Sequence, residues 1–483
     1  MADLRAYKPP ARPYCGFVRN DADQRELAEA PAHVLVSGPT EIGKTRRVLA
    51  PATVLWGGPA VVVSSKDDLF QLVMQRRYGP KALIDLRPDY DADYPDITMM
   101  SFDPTKLIRT PDQAVTAANT MMQMSAVGLG SGIDQVSDGG IWESNTEGPL
   151  AAMLYAASPR GINAGIEWVL LAVDNMTVVT PDKKNPTEQL SLEPGWQMAA
   201  NIVGDMPLFR NALVRTLAMD PKQRDSIALT MRKAVMPWMR LALRGVNHPA
   251  FDESFLDDPT ATLYVLAPSE GSVAGAAVTL LEHLVKVWRA KTARKEMMHR
   301  LLYVMDEATN VAPMPALRRH IGEGRGLGVN FLLAVQASCQ FDTVYGRDYA
   351  DELRAIFPSA LIMFGAAEME ILRRAEEWSL QTTRRQESFD QASGAKTLSS
   401  QLGSTLDYRR LLPGNTDHAR LVRRGTPGVQ TEIPDWSDFI KSYDAAVQRA
   451  LRGTGAQRPP QNLWEWIGQR HRKALASVRN EQR

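Results

Sequence analysis

Eight residues near the amino terminus constrain this chain more than any others: Gly38 to Thr45 (GPTEIGKT) fits the pattern GxxxxGK[ST]. The segment before them, His33 to Ser37 (HVLVS), reads as a short buried strand, and a helix is expected from Lys44 onward. A glycine-containing loop between a strand and a helix start presents converging backbone N–H groups, which suit the phosphates of a nucleotide. In such a cradle Gly38, Pro39, Thr40, Glu41, Ile42 and Gly43 form the wrap. Lys44 would contact the β and γ phosphates, and Thr45 would hold Mg2+. ATP and Mg2+ are therefore the expected ligands. Glu41 is discordant, because a carboxylate facing a triphosphate is repelled, so it must point outward.

The strand pattern recurs at Ala60 to Ser65 (AVVVSS) and, more weakly, around Lys81 to Leu86 and Thr98 to Phe102. It returns at Ala261 to Ala267 (ATLYVLA), Arg300 to Met305 (RLLYVM), Asn330 to Val335 (NFLLAV) and Ala360 to Phe364 (ALIMF), with amphipathic helices between. Continuous apolar strands alternating with helices imply a mostly parallel sheet covered on both faces, hence an α/β fold. Between the two strand groups the chain is rich in Ala, Met and Leu at helical spacing, as in Gly148 to Ala157 and Ser226 to Leu243. The expected organisation is a Pro-rich leader over 1–32 and a nucleotide-binding domain over 33–108 and 256–440. An all-α insertion occupies 109–255, and a basic helical tail 441–483.

A length of 483 residues with 44% hydrophobic content supports two or three domains with real cores. Cys15 and Cys339 are the two cysteines, far apart and without partners at metal-ligand spacing, which argues against a disulfide framework or a zinc site. No apolar run is long enough to span a membrane and no signal peptide is recognised, so a soluble cytoplasmic chain is expected. With a net charge of +1, any nucleic-acid contact must come from local basic patches.

Arg300 to Glu307 (RLLYVMDE) is an apolar strand ending in two carboxylates. With a phosphate cradle present, Asp306 suits the Mg2+ shell and Glu307 the polarisation of an attacking water. Arg325 lies in the glycine-rich loop Gly322 to Gly328 (GEGRGLG); it reaches a γ-phosphate on a neighbouring subunit, or, on spacing alone, is a solvated loop arginine. Gln336 follows the strand 330–335 and stands either beside Asp306 on the same sheet edge or merely exposed. Lys66, after the second strand, is a second-tier contact to nucleotide or to a neighbouring subunit, or a solvated turn. Basic residues recur at Lys222, Arg224, Arg232, Lys233, Arg240 and Arg244, and in the tail at Arg470, Arg472 and Lys473, as phosphate contacts or as solvated faces.

Taken in order, GPTEIGKT, LWGG (Leu55 to Gly58), VVVSSKDDLF, a helical insertion with Trp142 near its start, LLYVMDEATN, GEGRGLGVNFLLAVQ and ALIMFG resemble the conjugative coupling proteins of the TraG/TraD type. The resemblance spans roughly Ala32 to Pro434 and implies an FtsK-like, RecA-fold P-loop ATPase. It implies a homo-hexamer that moves single-stranded DNA, together with a relaxase or relaxosome, into a type IV secretion channel. It assigns Arg325 as a finger acting in trans and Gln336 as a γ-phosphate sensor. Two departures stand out. The family's amino-terminal anchor finds no room before the first strand, so either the anchor was lost or trimmed, or a separate membrane-anchor protein recruits the chain to the inner face of the membrane. The family's Asp-Pro-Lys-Gly-Glu stretch is Ser64 to Asp68 here. The alternatives are a nucleotide-switched, non-hydrolysing adaptor for secretion substrates, and an FtsK-like translocase of double-stranded DNA.

Overall fold

The computed structural model describes residues 12–454, apart from 22, 24, 78, 88–93, 95, 128–139, 179–192, 244–247, 269–270, 297–298, 380 and 390–395. At 140–144, 271–272, 325, 381–389, 396–404 and 446–454 the description is of the backbone alone. In chain order the strands are β1 (Phe17–Arg19), β2 (Arg25–Leu27), β3 (Val34–Ser37), β4 (Ala60–Ser64), β5 (Lys81–Asp85), β6 (Thr98–Met99) and β7 (Thr262–Leu266). There follow β8 (Leu301–Met305), β9 (Val329–Val335), β10 (Ser359–Met363), β11 (Gln381–Phe389), β12 (Lys396–Ser404), β13 (His418–Arg423) and β14 (Val429–Glu432).

Twelve of these form one sheet in the order β2-β1-β14-β13-β10-β3-β9-β8-β4-β7-β5-β6. From β10 to β6 every described pairing is parallel. The central strands β3, β4, β7, β8, β9 and β10 are buried at every residue, which explains why they read as unbroken apolar runs. Their side chains alternate between two cores. Leu35, Val63, Met305 and Leu333 face one, while Val34, Val36, Val304 and Leu332 face the other. The fold is therefore a RecA-like P-loop α/β domain with an inserted all-α region.

At the β10 edge, β13, β14, β1 and β2 add antiparallel strands. Thus part of the expected leader, Phe17–Arg19 and Arg25–Leu27, is strand. These strands are short and mixed in polarity, so period-2 apolarity is weak in them. The hairpin β11–β12 forms a second, separate sheet.

Sheet topology places the crevice. The chain leaves β3 through the helical segment 45–55, whose Val48, Leu49 and Val54 pack in the second core, and returns at β4 beyond β9 and β8. It leaves β9 through helices Gln340–Tyr345 and Arg347–Ile356, whose Phe341, Tyr345 and Leu353 pack in the first core, and returns at β10 on the other side of β3. The two connections run in opposite directions past each other, over opposite faces of the sheet at β3 and β9. At the carboxyl edge this is the switch point where ligands of open α/β sheets bind.

Among the described residues, six α-helices, Pro111–Val127, Gly140–Ala157, Ile166–Asp174, Trp196–Ile202, Pro207–Leu217 and Pro221–Ala242, lie between β6 and β7. Their buried Met121, Trp196, Met231 and Trp238 belong to the same core cluster as the first sheet face. Helix Gly271–Ala293 packs between: a side chain at Gly275 would come within 3.3 Å of Pro237 and 3.5 Å of Met124, so small size permits the close crossing. The last described helix, Trp436–Thr454, presses Trp436 and Tyr443 onto the second core. No described helix is long and apolar enough to cross a membrane.

The LWGG step is organised by a residue outside it. Arg77 is buried and donates to Thr53 O at 2.7 Å and Trp56 O at 2.9 Å, and also to Gly58 O and the Thr262 hydroxyl. It thereby satisfies carbonyls left over where helix Ala50–Leu55 ends. Burial pulls its guanidinium down to about 10. Replacing Arg77→Leu leaves these carbonyls without their buried donor and is expected to cost about 3 kcal/mol or more. Denaturant unfolding checks this, and a loss below about 1 kcal/mol would show that water takes the guanidinium's place.

Candidate nucleotide site

The loop after β3 is shaped by close approach. A side chain at Gly38 would lie 3.0 Å from Ile42 Cγ2 and 3.1 Å from Met363 Cβ, and Gly43 adopts φ +89°. Glu41 also takes a left-handed conformation, φ 63°, and is exposed together with Thr40 at the loop tip. Pro39 and Ile42 are half-buried. Lys44 is 8% exposed, and its Nζ donates to Gly38 O at 2.7 Å and Pro39 O at 2.8 Å. The ammonium group is thus folded onto the loop's own carbonyls. Burial lowers its pKa, opposed by the Asp306 and Glu307 carboxylates. The helix beyond opens with a wide π turn, Thr45–Leu49, with Ala50 N–H reaching Thr45 O. Pro51 follows and has no N–H to donate to Arg47 O, which relaxes the regular ladder there.

β8 brings its two carboxylates to the same edge. Asp306 is anchored by its N–H to Val63 O at 2.8 Å, and its Oδ2 accepts from Thr45 Oγ1 at 3.0 Å. Burial raises its carboxyl pKa, and the Thr45 hydrogen bond pulls the other way. Glu307 sits at φ 49°, ψ 46°, a left-handed conformation unusual for a residue with a side chain. Its Oε2 accepts from Ser65 Oγ at 3.4 Å, tying it to the end of β4.

Because β9 lies between β3 and β8, Gln336 stands at the strand end between Lys44 and Asp306. It is half-buried, and its backbone N–H donates to Gln340 Oε1 at 2.9 Å. Lys66 is exposed, near enough to Lys44 for mutual repulsion. Lys44, Thr45, Asp306, Glu307, Gln336 and Lys66 therefore share one edge. Arg325 does not join them. Its backbone lies in the short 3-10 turn Gly324–Leu327 before β9, at the opposite end of the sheet, and its side chain falls outside the described residues. The seven residues of β9 separate the two edges by roughly 23 Å.

One acidic residue at this edge went unread in the sequence. Glu368, after β10, is 3% exposed and accepts from Ser37 Oγ, Ser338 N and Ser338 Oγ, each at 2.6 Å. Its only local signal is an apolar strand followed by a carboxylate, shared with β8 but diluted by four intervening residues (Phe364 to Ala367). On helix Pro221–Ala242, the exposed Lys222, Lys233 and Arg240 recur at nearly whole numbers of turns and share one stripe. Arg224 is half-buried, and Arg232 is engaged by Asp174 at 2.7 Å. Arg244, Arg470, Arg472 and Lys473 lie outside the described residues, as does the side chain of Trp142.

Residues 300–415 match the family model described as the TraM recognition site of TraD and TraG. Over this segment the chain is TraG/TraD-like. The TraG/TraD-like segment contains β8, Asp306, Glu307, Gln336 and Glu368. The whole architecture is similar to that of the bacterial conjugative coupling protein TrwB in a trigonal form with sulphate. The TM-score is 0.52 at 17% identity, over 83% of this chain and 85% of that one. TrwB in complex with ADPNP and TrwB with ADP and Mg2+ each align at a TM-score of 0.51 and 18% identity, over 83% and 85%. At such identity the likeness establishes the fold. No curated protein sequence matches the chain.

The raised carboxyl of Asp306 makes a specific stability prediction. A carboxylate whose pKa is raised in the fold favours the folded state only while protonated, and that advantage disappears as pH climbs through its folded pKa. Asp306→Asn should therefore raise the melting temperature of the nucleotide-free chain at neutral pH. The gap should close as pH falls through the usual carboxylate range. Equal melting temperatures at neutral pH would mean that Asp306 carries no burial penalty.

Proposed function

We propose that this chain is an ATP-driven DNA translocase that serves as a conjugative coupling ATPase. The observation that carries the reading is the convergence of Lys44 and Thr45 with Asp306 and Glu307 across the β3–β9–β8 edge. The Thr45 hydroxyl and the Asp306 carboxylate are hard oxygen donors in contact, a pair that suits Mg2+. Bound there, Mg2+ would offset negative charge on the phosphates. It would also favour the ionised form of Asp306, which burial otherwise opposes.

In this reading Lys44 leaves the Gly38 and Pro39 carbonyls for the β and γ phosphates, and the loop amides wrap them. Glu307, held towards Ser65, polarises the attacking water, and Gln336 reports on the γ-phosphate. Arg325 starts roughly 23 Å from the edge that carries its own chain's P-loop, so it acts on a neighbouring subunit's nucleotide. That requirement favours a closed ring, and a homo-hexamer is the proposed assembly. The nucleotide-binding domain comprises 33–108 and 256–440, and the helical insertion 109–255. The basic stripe Lys222, Lys233, Arg240 offers phosphate contacts to DNA, proposed to be single-stranded. The proposed partners are a relaxase or relaxosome component of the TraM kind, the type IV secretion channel, and a separate membrane-anchor protein at the inner face of the cell membrane.

Lys44→Ala and Arg325→Ala should each lower DNA-stimulated ATP turnover by at least about 100-fold. Mixing the two inactive chains should restore part of the rate, because one contributes an intact cradle and the other an intact finger. Recovery of activity in mixtures, measured across ratios, checks the shared site; a mixture as inactive as its parts contradicts it. Single-stranded DNA should raise turnover of the wild-type chain. A rate unchanged across DNA lengths and strandedness would contradict the translocase reading.

A further inference from the structure

Three neighbouring strands, β10, β3 and β9, end side by side, and two of their loops carry tasks in the proposed site. β3 opens into the phosphate cradle, and β9 into Gln336. The β10 loop has no assigned task, yet it lies against both. Gly365, at φ +76°, brings this loop over the cradle, where a side chain would lie 3.4 Å from Pro39 Cγ. Three residues later Glu368 turns its carboxylate inward.

That carboxylate touches both neighbours at once. Oε1 accepts from Ser37 Oγ, on the last residue before Gly38, and from Ser338 N, two residues after Gln336. Oε2 accepts from Ser338 Oγ. The opposite side of the same peptide segment is also held: Ser338 O accepts from Arg354 Nη1 at 3.0 Å, and Arg354 is itself fixed by Asp342. Gln336 N–H is taken by Gln340 within the same turn. The turn carrying Gln336 is thus secured on each side, and the bond that registers it against the cradle is made by Glu368. A carboxyl group receiving three donors at 2.6 Å is a directional fastening in a buried setting.

We infer that Glu368 is a positioning residue: it sets Gln336 at the correct distance from the phosphate cradle and thereby enables the chain to distinguish a nucleotide with a γ-phosphate from one without. The inference rests on the proposed nucleotide-binding reading and adds to it a residue outside the P-loop and the acidic strand end. Glu368 touches no phosphate; it acts through the Ser338 turn. The helix Met369–Glu377 starts at the next residue, so a shift of Gln336 on loss of the γ-phosphate is also delivered to that helix.

The test uses the full chain with Glu368→Gln, Gln336→Ala and the double variant. Affinities for ADP and for a non-hydrolysable ATP analogue are measured with Mg2+, beside steady-state turnover and melting temperature. Glu368→Gln keeps the side-chain shape but turns one of the two acceptor oxygens into an NH2 donor, so that the Ser37, Ser338 N–H and Ser338 hydroxyl donors can no longer all be accepted. It should lower kcat by about 10- to 100-fold and shift KM by less than about twofold. It should reduce the preference for the analogue over ADP to the value of Gln336→Ala, and the double variant should be no worse than Gln336→Ala alone. Additive losses, or undiminished analogue preference in Glu368→Gln, would overturn the inference. A lowered melting temperature with kcat and preference intact would mark Glu368 as structural only. Should Glu368→Gln fail to fold, Ser338→Ala removes one of the three donors and carries the same expectations. If the wild type binds both nucleotides but does not turn over, the ATPase proposal fails, and the analogue preference still decides the role of Glu368. If the wild type shows no analogue preference, the inference fails on its own.

Discussion

A hydrogen bond of 3.0 Å between the Thr45 hydroxyl and the Asp306 carboxylate joins residues 261 positions apart, and the rest of the molecule is arranged so that they meet. Burial works against the charges on both sides of this contact. Asp306 is driven towards its protonated form by burial, and Lys44 is driven towards its neutral form by the same cause. Opposite charges drawn into one poorly solvated edge restrain each other, but only at short range and in fixed geometry. Such a site favours a ligand that brings both negative phosphates for Lys44 and a cation for Asp306.

Sheet order supplies the fixed geometry. With β9 between β3 and β8, the cradle and the acidic strand end are two strand spacings apart, about 10 Å, which is the scale of a triphosphate with its metal. Gln336 falls between them because it terminates the middle strand. The same order places the loop of Arg325 at the far edge, since that loop enters β9 where Gln336 leaves it. One strand thus connects Gln336, the proposed γ-phosphate sensor, with the loop of Arg325, proposed to serve a neighbouring subunit. The helical insertion grows from the β6–β7 connection and shares its core with the sheet through helix Gly271–Ala293, so the two parts do not pack as independent bodies.

Much of this was legible in the sequence where the determinants are contiguous. GPTEIGKT is a local pattern, and strands buried on both faces announce themselves as apolar runs, which is why β3, β4, β7, β8, β9 and β10 could be read directly. The extra antiparallel edge could not, because FVR, REL and VQTE are too short and too polar for either period to emerge. β11 and β12 (QTTRRQESF and KTLSSQLGS) pair with each other and are polar in sequence, so no apolar periodicity marked them. Glu368 and Arg77 were invisible for a different reason: their meaning lies in partners at Ser37, Ser338, Thr53 and Thr262, set by tertiary register and by no spacing along the chain. Arg325 was legible as a residue, whereas its distance from its own cradle required the sheet.

The central claim is that the cradle and the acidic strand end hold one metal–nucleotide complex. Electron paramagnetic resonance of Mn2+ titrated into the chain with ADP tests it most directly, using Thr45→Val and Asp306→Asn as controls. The account predicts one Mn2+ site per wild-type chain that appears with nucleotide, and loss of at least about tenfold in Mn2+ affinity in both variants while ADP still binds. Mn2+ binding unaffected by either substitution would show that Thr45 and Asp306 meet for some purpose other than gripping the metal of a shared nucleotide.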